Sequence, residues 1–275
     1  MASSFGVLFN IPSLNAEGAL NSTQLSLNST LEQLSTGQRI NSGADDPAGL
    51  AIANGLSANV AALNQSIANA NDGVGSLQVA DGAYSQITSL LNTAVSIATE
   101  AATGTVSSAQ RGSLDAEYQQ ILQEIDRIGS TTTYNGTSVF TATATSIYLT
   151  DAVSNSTIAT TVGALSQTAL ALNGTVLTGN DGTNAQDALT KIDAAIQTVS
   201  NDRGAIGAAV NRLQDAANVM NTQVQNLTAA ESNIMSADIP STVSNLSRLS
   251  VLSQTGLAAL AQANSQQQAI LKLVG

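Results

Sequence analysis

The sequence predicts a mainly α fold, a long coiled-coil-like helical rod with a small β-hairpin region. Three observations carry this. Two long stretches repeat apolar residues in a 4-3 alternation, and the stretch between them turns to Thr, Ser, Asn and Gly. Across 275 residues the hydrophobic content is 43% but the aromatic content only 3%. Ala, Leu, Ile and Val fill helix seams well but supply few large anchors for a thick core.

Taken in order, residues 1–44 form a flank with one weak helical stripe, Leu20, Leu27, Leu31 and Leu34. So narrow an apolar face is marginal alone in water and is expected to order only against partners. After the flank comes Asp45-Asp46-Pro47, where Asp46 stands at an N-cap position and Pro47 at the first helical position. From there a seam runs through Leu56, Val60, Leu63, Ile67, Ala70, Val74, Leu77, Tyr84, Leu91, Val95 and Ala98, with polar gaps at Asp81 and Thr88. Its spacing predicts a helix of about 50 residues, roughly 75 Å long.

A shorter helix follows on Leu114, Tyr118, Ile121, Ile125 and Ile128, with Gly129 as its end. Residues 137–180 are expected to form a β-rich outer region, entered through a turn at Tyr134-Asn-Gly136. The clearest seam is Leu189, Ile192, Ile196, Val199, Ile206, Val210, Leu213, Ala217, Met220, Val224, Leu227 and Ile234, interrupted by Arg203 and Glu231. Residues 45–136 and 181–237 thus make the rod. Pro240 opens a second flank, 238–275, whose stripe is Val243, Leu246, Leu249, Gly256, Leu260, Ala263, Gln267, Ile270 and Val274.

Composition excludes several function classes. With a net charge of −11 the chain has no footprint for nucleic acid or anionic lipid. His and Cys are absent, removing the usual zinc ligands and the common base of Ser and Cys hydrolases. No apolar run is long enough to span a membrane, and the amino terminus does not read as a cleaved secretory signal. No cofactor, metal or catalysis is expected. Asp45 and Asp46 lack the alternating acids and closing Glu of a calcium loop. Adjacent residues at a helix start do not face each other across a sugar. Ser and Thr between 137 and 178 are the exposed candidates for O-linked modification.

The stretch Leu34-Ser-Thr-Gly-Gln-Arg-Ile-Asn-Ser-Gly-Ala-Asp-Asp-Pro-Ala-Gly-Leu-Ala-Ile-Ala53 resembles the amino-terminal signature of bacterial flagellins. Ala68-Asn-Ala-Asn-Asp-Gly73, Asp81-Gly-Ala83, Ile125-Asp-Arg127 and Tyr134-Asn-Gly136 agree with the first half of that family. Leu189-Thr-Lys-Ile-Asp-Ala-Ala195, Gly207-Ala-Ala-Val-Asn-Arg212, Val243-Ser-Asn-Leu-Ser247 and Leu260-Ala-Gln-Ala-Asn264 agree with the second. The resemblance implies a minimal subunit of an extracellular flagellar filament, a homopolymer whose terminal helices pair to form an inner tube around a channel. It also implies a cap protein, hook-filament junction proteins and an export chaperone as partners.

On the same resemblance Arg39, Ile40, Asn41, Asp45, Asp46, Pro47, Asn71, Asp72, Gly73, Asp126 and Arg127 are expected at subunit interfaces or at the joint. Leu20, Leu27, Leu31, Leu34, Leu246, Leu249, Leu260, Ile270 and Val274 are expected to pack the terminal helices. Gly73, costly inside a helix by ~1 kcal/mol relative to Ala, is expected to admit a neighbouring backbone. A hook-filament junction protein of the same family and a secreted helical adhesin are the alternatives.

Overall fold

A computed structural model describes residues 10–141, 143–150 and 155–274, without the side chains of residues 145, 150, 155, 156 and 270–274. The described chain forms α1 (Ile11–Thr36), α2 (Pro47–Ala102), α3 (Ser108–Thr131), β1 (Thr133–Tyr134), β2 (Thr137–Ser138), β3 (Ala144–Thr150), β4 (Asn155–Thr161), α4 (Thr183–Met235) and α5 (Ile239–Val274). It divides into two compact units, residues 1–57 with 227–275, and residues 58–226.

In the second unit, α2 buries Leu63, Ala70, Leu77, Tyr84, Leu91 and Ala98, seven residues apart and each at most 2% exposed. The second buried row is Ser66, Ala80, Ile87, Ala94 and Ala101, three residues on from the first. The sequence had pointed to Val60, Ile67, Val74 and Val95, four residues on, and these are only half-buried. Helix α4 repeats the arrangement, with Ala185, Ile192, Val199, Ile206, Leu213 and Met220 buried together with Ala188, Ala195 and Ala209. Apart from Ile87, small side chains hold the second row, and the bulkier Val60, Ile67, Val74 and Val95 flank it.

Two of the four polar interruptions of the seams answer each other. Arg203 Nε and Nη2 donate to Asp81 Oδ1 and Oδ2 at 2.7 and 3.3 Å. One residue away, the Tyr84 hydroxyl donates to Asp202 Oδ2 at 3.0 Å, and its ring meets Phe140 edge-on at 5.2 Å. Burial first, and the Asp202 charge second, push the Tyr84 hydroxyl above the usual phenol range.

Helix α3 begins at a capping box. Gln110 N donates to Ser107 Oγ, and Gln110 Oε1 accepts from Ser107 N. The expected glycine end at Gly129 is not there, and the helix runs on to Thr131. Gly129 is instead a point of close approach, because a Cβ on it would collide with the Leu165 carbonyl oxygen. The turn at Asn135-Gly136 joins β1 to β2 with both residues at positive φ, 49° and 76°. Strands β3 and β4 pair antiparallel with Ile147 opposite Ile158 and Tyr148 opposite Thr157.

Residues 162–180, expected to continue the β-rich region, form no strand. They run as a strap along α3. Gln167 N and Nε2 donate to Asp126 Oδ1 and Oδ2, Gln119 Nε2 donates to the Thr175 carbonyl, and Leu177 N donates to Asp115 Oδ1. Leu165, Leu170, Leu172 and Leu177 are buried beneath it. Thr175, one of the hydroxyls expected to be exposed for modification, is buried too. Its Oγ1 lies 2.7 Å from the Tyr118 hydroxyl and donates to the Leu172 carbonyl.

Candidate assembly surface and joint

The joint is built from short-range hydrogen bonds that leave little backbone unpaired. Helix α1 stops at Gly37, whose φ of 70° is the left-handed cap and whose N–H donates to the Gln33 carbonyl. The chain then crosses the residues that follow α4. Gln38 and Ser236 form an antiparallel bridge, Arg39 N donates to the Met235 carbonyl at 2.6 Å, and Ala237 N donates to the Gly37 carbonyl at 3.0 Å. The Arg39 guanidinium donates to the Ile234 carbonyl through Nε at 3.3 Å and Nη2 at 2.9 Å. It thus places a positive charge on the carbonyl end of α4, where the helix dipole favours it.

Asp45 and Asp46 do different work. Asp45 Oδ2 accepts from Asn41 N, Ser42 N and Ser42 Oγ at 3.1, 2.8 and 3.1 Å. The Ser42 amide, then the Asn41 amide and the Ser42 hydroxyl, hold its carboxyl below the usual carboxylate range. Asp46 Oδ1 accepts from Gly49 N at 2.9 Å, the N-cap bond, and Pro47 opens α2. Gly49 has no room for a side chain. A Cβ would strike the Asp46 carboxylate and come within 2.8 Å of Ile40 Cδ1, while Ile40 itself is 1% exposed. Asn41 closes the loop by donating from Nδ2 to the Gln38 carbonyl. Ile40, Asn41, Asp45, Asp46 and Pro47 therefore form one compact turn at the head of α2.

Helices α1 and α5 pair along two seven-residue repeats. On α1 the half-buried positions include Ser13, Ala16, Leu20, Thr23, Leu27, Thr30 and Leu34, whereas Leu31 is 45% exposed. On α5 they are Leu246, Leu249, Ser253, Gly256, Leu260, Ala263 and Gln267, with Thr242 buried. Thr242, not the expected Val243, begins this stripe, because Thr242 also hydrogen-bonds back to the Asp238 carbonyl in the first turn. Gly256 lets Leu20 Cδ1 approach to 3.3 Å of where its Cβ would be. Asn10 and Ser13 donate to Asn264 Oδ1 at the far end of the pair. Ile270 and Val274 lie in α5, their side chains outside the described residues.

This pairing leaves apolar surface in water. Helix α1 buries none of its 26 residues, and Ile11, Leu14 and Leu25 are 62%, 58% and 64% exposed. Val251, Leu252 and Leu257 of α5 are exposed as well. The hydroxyls of the pair are largely satisfied within their own helices, as Thr23, Ser26, Thr30, Thr36 and Ser247 each donate to the carbonyl four residues back. Such a surface can be dehydrated by a partner at small polar cost.

The remaining expected positions lie in the second unit. Asn71 and Asp72 are exposed. Gly73 is occupied from within the chain: a Cβ would collide with Ile147 Cδ1 of β3 and lie 3.4 Å from Leu213 Cδ1 of α4. It admits these side chains and not a neighbouring backbone. Both oxygens of Asp126 are used by Gln167. Arg127 pairs with Glu124 at 2.5 Å on the exposed face of α3, with the Glu124 carboxyl lowered by the Arg127 hydrogen bond.

Sequence reasoning missed Arg111. It is 1% exposed and donates from Nε to the Ala101 carbonyl, Nη2 to the Thr103 carbonyl and Nη1 to the Gly179 carbonyl. It ties the end of α2 to the strap, and no motif marked it. Among the described residues no group of three or more His, Cys, Asp or Glu is gathered as a metal would need. No described helix is long and apolar enough to cross a membrane.

Known proteins share the two helical regions of this chain. Residues 7–145 match the bacterial flagellin N-terminal helical region, and residues 189–274 match the bacterial flagellin C-terminal helical region. The chain is 33% identical to a flagellin of Halalkalibacterium halodurans over 268 residues, covering 96% of this chain and 98% of that protein. It is 30% identical to the flagellar filament 33 kDa core protein of Treponema phagedenis, again covering 96% and 98% of the two chains. A crystal structure of Bacillus cereus flagellin is similar with a TM-score of 0.49 and 32% identity, covering 60% of this chain and 94% of that one. The chain belongs to the bacterial flagellin family, the structural subunits of the flagellar filament.

Proposed function

We propose that this chain polymerises with copies of itself into an extracellular filament through the exposed faces of α1 and α5, and that it performs no catalysis. The observation that carries this is the long α1, which buries no residue and leaves Ile11, Leu14 and Leu25 in water. An isolated subunit cannot offset the ordering entropy of such helices, whereas dense packing of copies can. The copies would form an inner tube, with Gln262, Gln266 and Gln268 giving its channel an uncharged polar wall.

The joint residues Arg39, Ile40, Asn41, Asp45, Asp46 and Pro47 set how α1 and α5 are presented to neighbouring copies. Asn71, Asp72 and Arg127 are exposed and available to those neighbours. An export chaperone would cover α5 before assembly, and a cap protein and hook-filament junction proteins would meet the growing polymer.

The test is negative-stain electron microscopy of the full chain beside a chain lacking residues 241–275, both seeded with sheared filaments. Long filaments from the full chain alone are expected. Filaments of equal length from both would remove α5 from the mechanism, and none from either would overturn the proposal.

A further inference from the structure

In the second unit, α2 and the two hairpins enclose a cleft of about 440 Å³, inside the range typical of small-ligand sites. Gly73 and Gly75 create it by drawing the hairpins in. Ile147 of β3 sits over Gly73, and the Tyr134 hydroxyl comes within 3.0 Å of where a Cβ on Gly75 would be. Asp72, Ser76, Ser138, Tyr134 and Tyr148 are among the residues that line the space. Among the described residues, none of the Asp72, Ser76, Ser138 and Tyr134 polar groups has a hydrogen-bond partner within the chain. Asn69, by contrast, is already spent. It donates to the Tyr148 carbonyl at 3.3 Å and accepts from Gln65 at 3.0 Å, which fixes β3 over α2.

We propose that this cleft binds a neutral saccharide. A pyranose ring has an apolar C–H face and a rim of hydroxyls that both donate and accept. Tyrosine offers the matching combination of an apolar face and a polar tip, and Tyr148 is 61% exposed on its strand. The carboxylate of Asp72 accepts from sugar hydroxyls, and the serine hydroxyls donate or accept as the sugar requires. No Lys or Arg lines the cleft. Together with the chain's net charge of −11, this disfavours phosphorylated, sulfated or uronic acid sugars. The cleft is built from residues of the second unit alone; because Asp72 is also offered to neighbouring copies, binding is tested on the unassembled chain.

The test is saturation-transfer NMR on the full-length chain, using galactose, mannose and N-acetylglucosamine as probes and glucuronic acid as the anionic comparison. At least one neutral sugar is expected to receive saturation. Asp72→Ala and Tyr148→Ala should each weaken that binding by about tenfold or more, with the circular dichroism spectrum preserved. Tyr148→Phe, which keeps the ring, should retain binding. The proposal is overturned by no transfer to any neutral sugar, by transfer that survives either alanine variant, or by equal transfer to glucuronic acid.

Discussion

At the scale of single residues, glycines in the same helix carry opposite predictions. Gly129 lies against the Leu165 carbonyl, whereas Gly112 has nothing within 4 Å of its would-be side chain. Gly129→Ala should therefore destabilise the second unit by about 2 kcal/mol or more, since fixed backbone must move. Gly112→Ala should stabilise it by about 0.5–1 kcal/mol through helix propensity. Chemical denaturation of both variants checks the pair, and shifts of one sign would contradict the packing. Arg111→Met would leave the Ala101 and Gly179 carbonyls without this donor, while the Thr103 carbonyl keeps the Val106 amide. A loss of about 1–3 kcal/mol per unmet buried group is expected, read as a lower melting temperature. Asp45 gives a pH prediction. Its folded pKa lies below the ordinary value of 3.8, so its contribution is complete above that value and is lost as pH falls through the folded pKa. The Asn41 and Ser42 amide resonances should titrate together with a midpoint below 3.8, and Asp45→Ala should abolish that titration.

At the scale of elements, the helices were legible because a seven-residue repeat survives in sequences rich in Leu, Ile and Val. The first buried row of α2, from Leu63 to Ala98, stands in the sequence as read. The second row was misplaced because most of its occupants, among them Ser66, Ala80 and Ala94, are too small to register as apolar, while the adjacent Ile67 and Val74 do register. Burial there is decided by how near two helices come, which no single residue encodes. The Asn135-Gly136 turn was readable because its backbone demands those residue types. The strap was not, since it is held by Gln167, Thr175 and Leu177 reaching Asp126, Tyr118 and Asp115, contacts set by tertiary placement alone. Its polar composition made it look like exposed outer chain. Asp126→Ala should accordingly raise hydrogen exchange at the Gln167 amide while leaving the α1 and α5 amides unchanged.

At the scale of the whole molecule, the prediction concerns order gained on assembly. If α1 and α5 bury their outer faces only among copies, their amides should exchange quickly in the free subunit and slowly in the filament, as measured by mass spectrometry. Equal protection in both states would count against coupled folding. The pairing of α1 with α5 carries one more consequence. Its contact residues, among them Ser13, Ala16, Thr23 and Thr30 against Ser253, Gly256 and Ala263, alternate short side chains with leucines at a constant seven-residue spacing. Such a contact resembles itself after a slide of one repeat, about 10 Å along the axis, so it fixes phase poorly. The bridge between Gln38 and Ser236 and the grip of Arg39 on Ile234 act at one end only. They work as a clasp that sets the zero of a sliding scale, from which the position of every residue out to Asn264 follows.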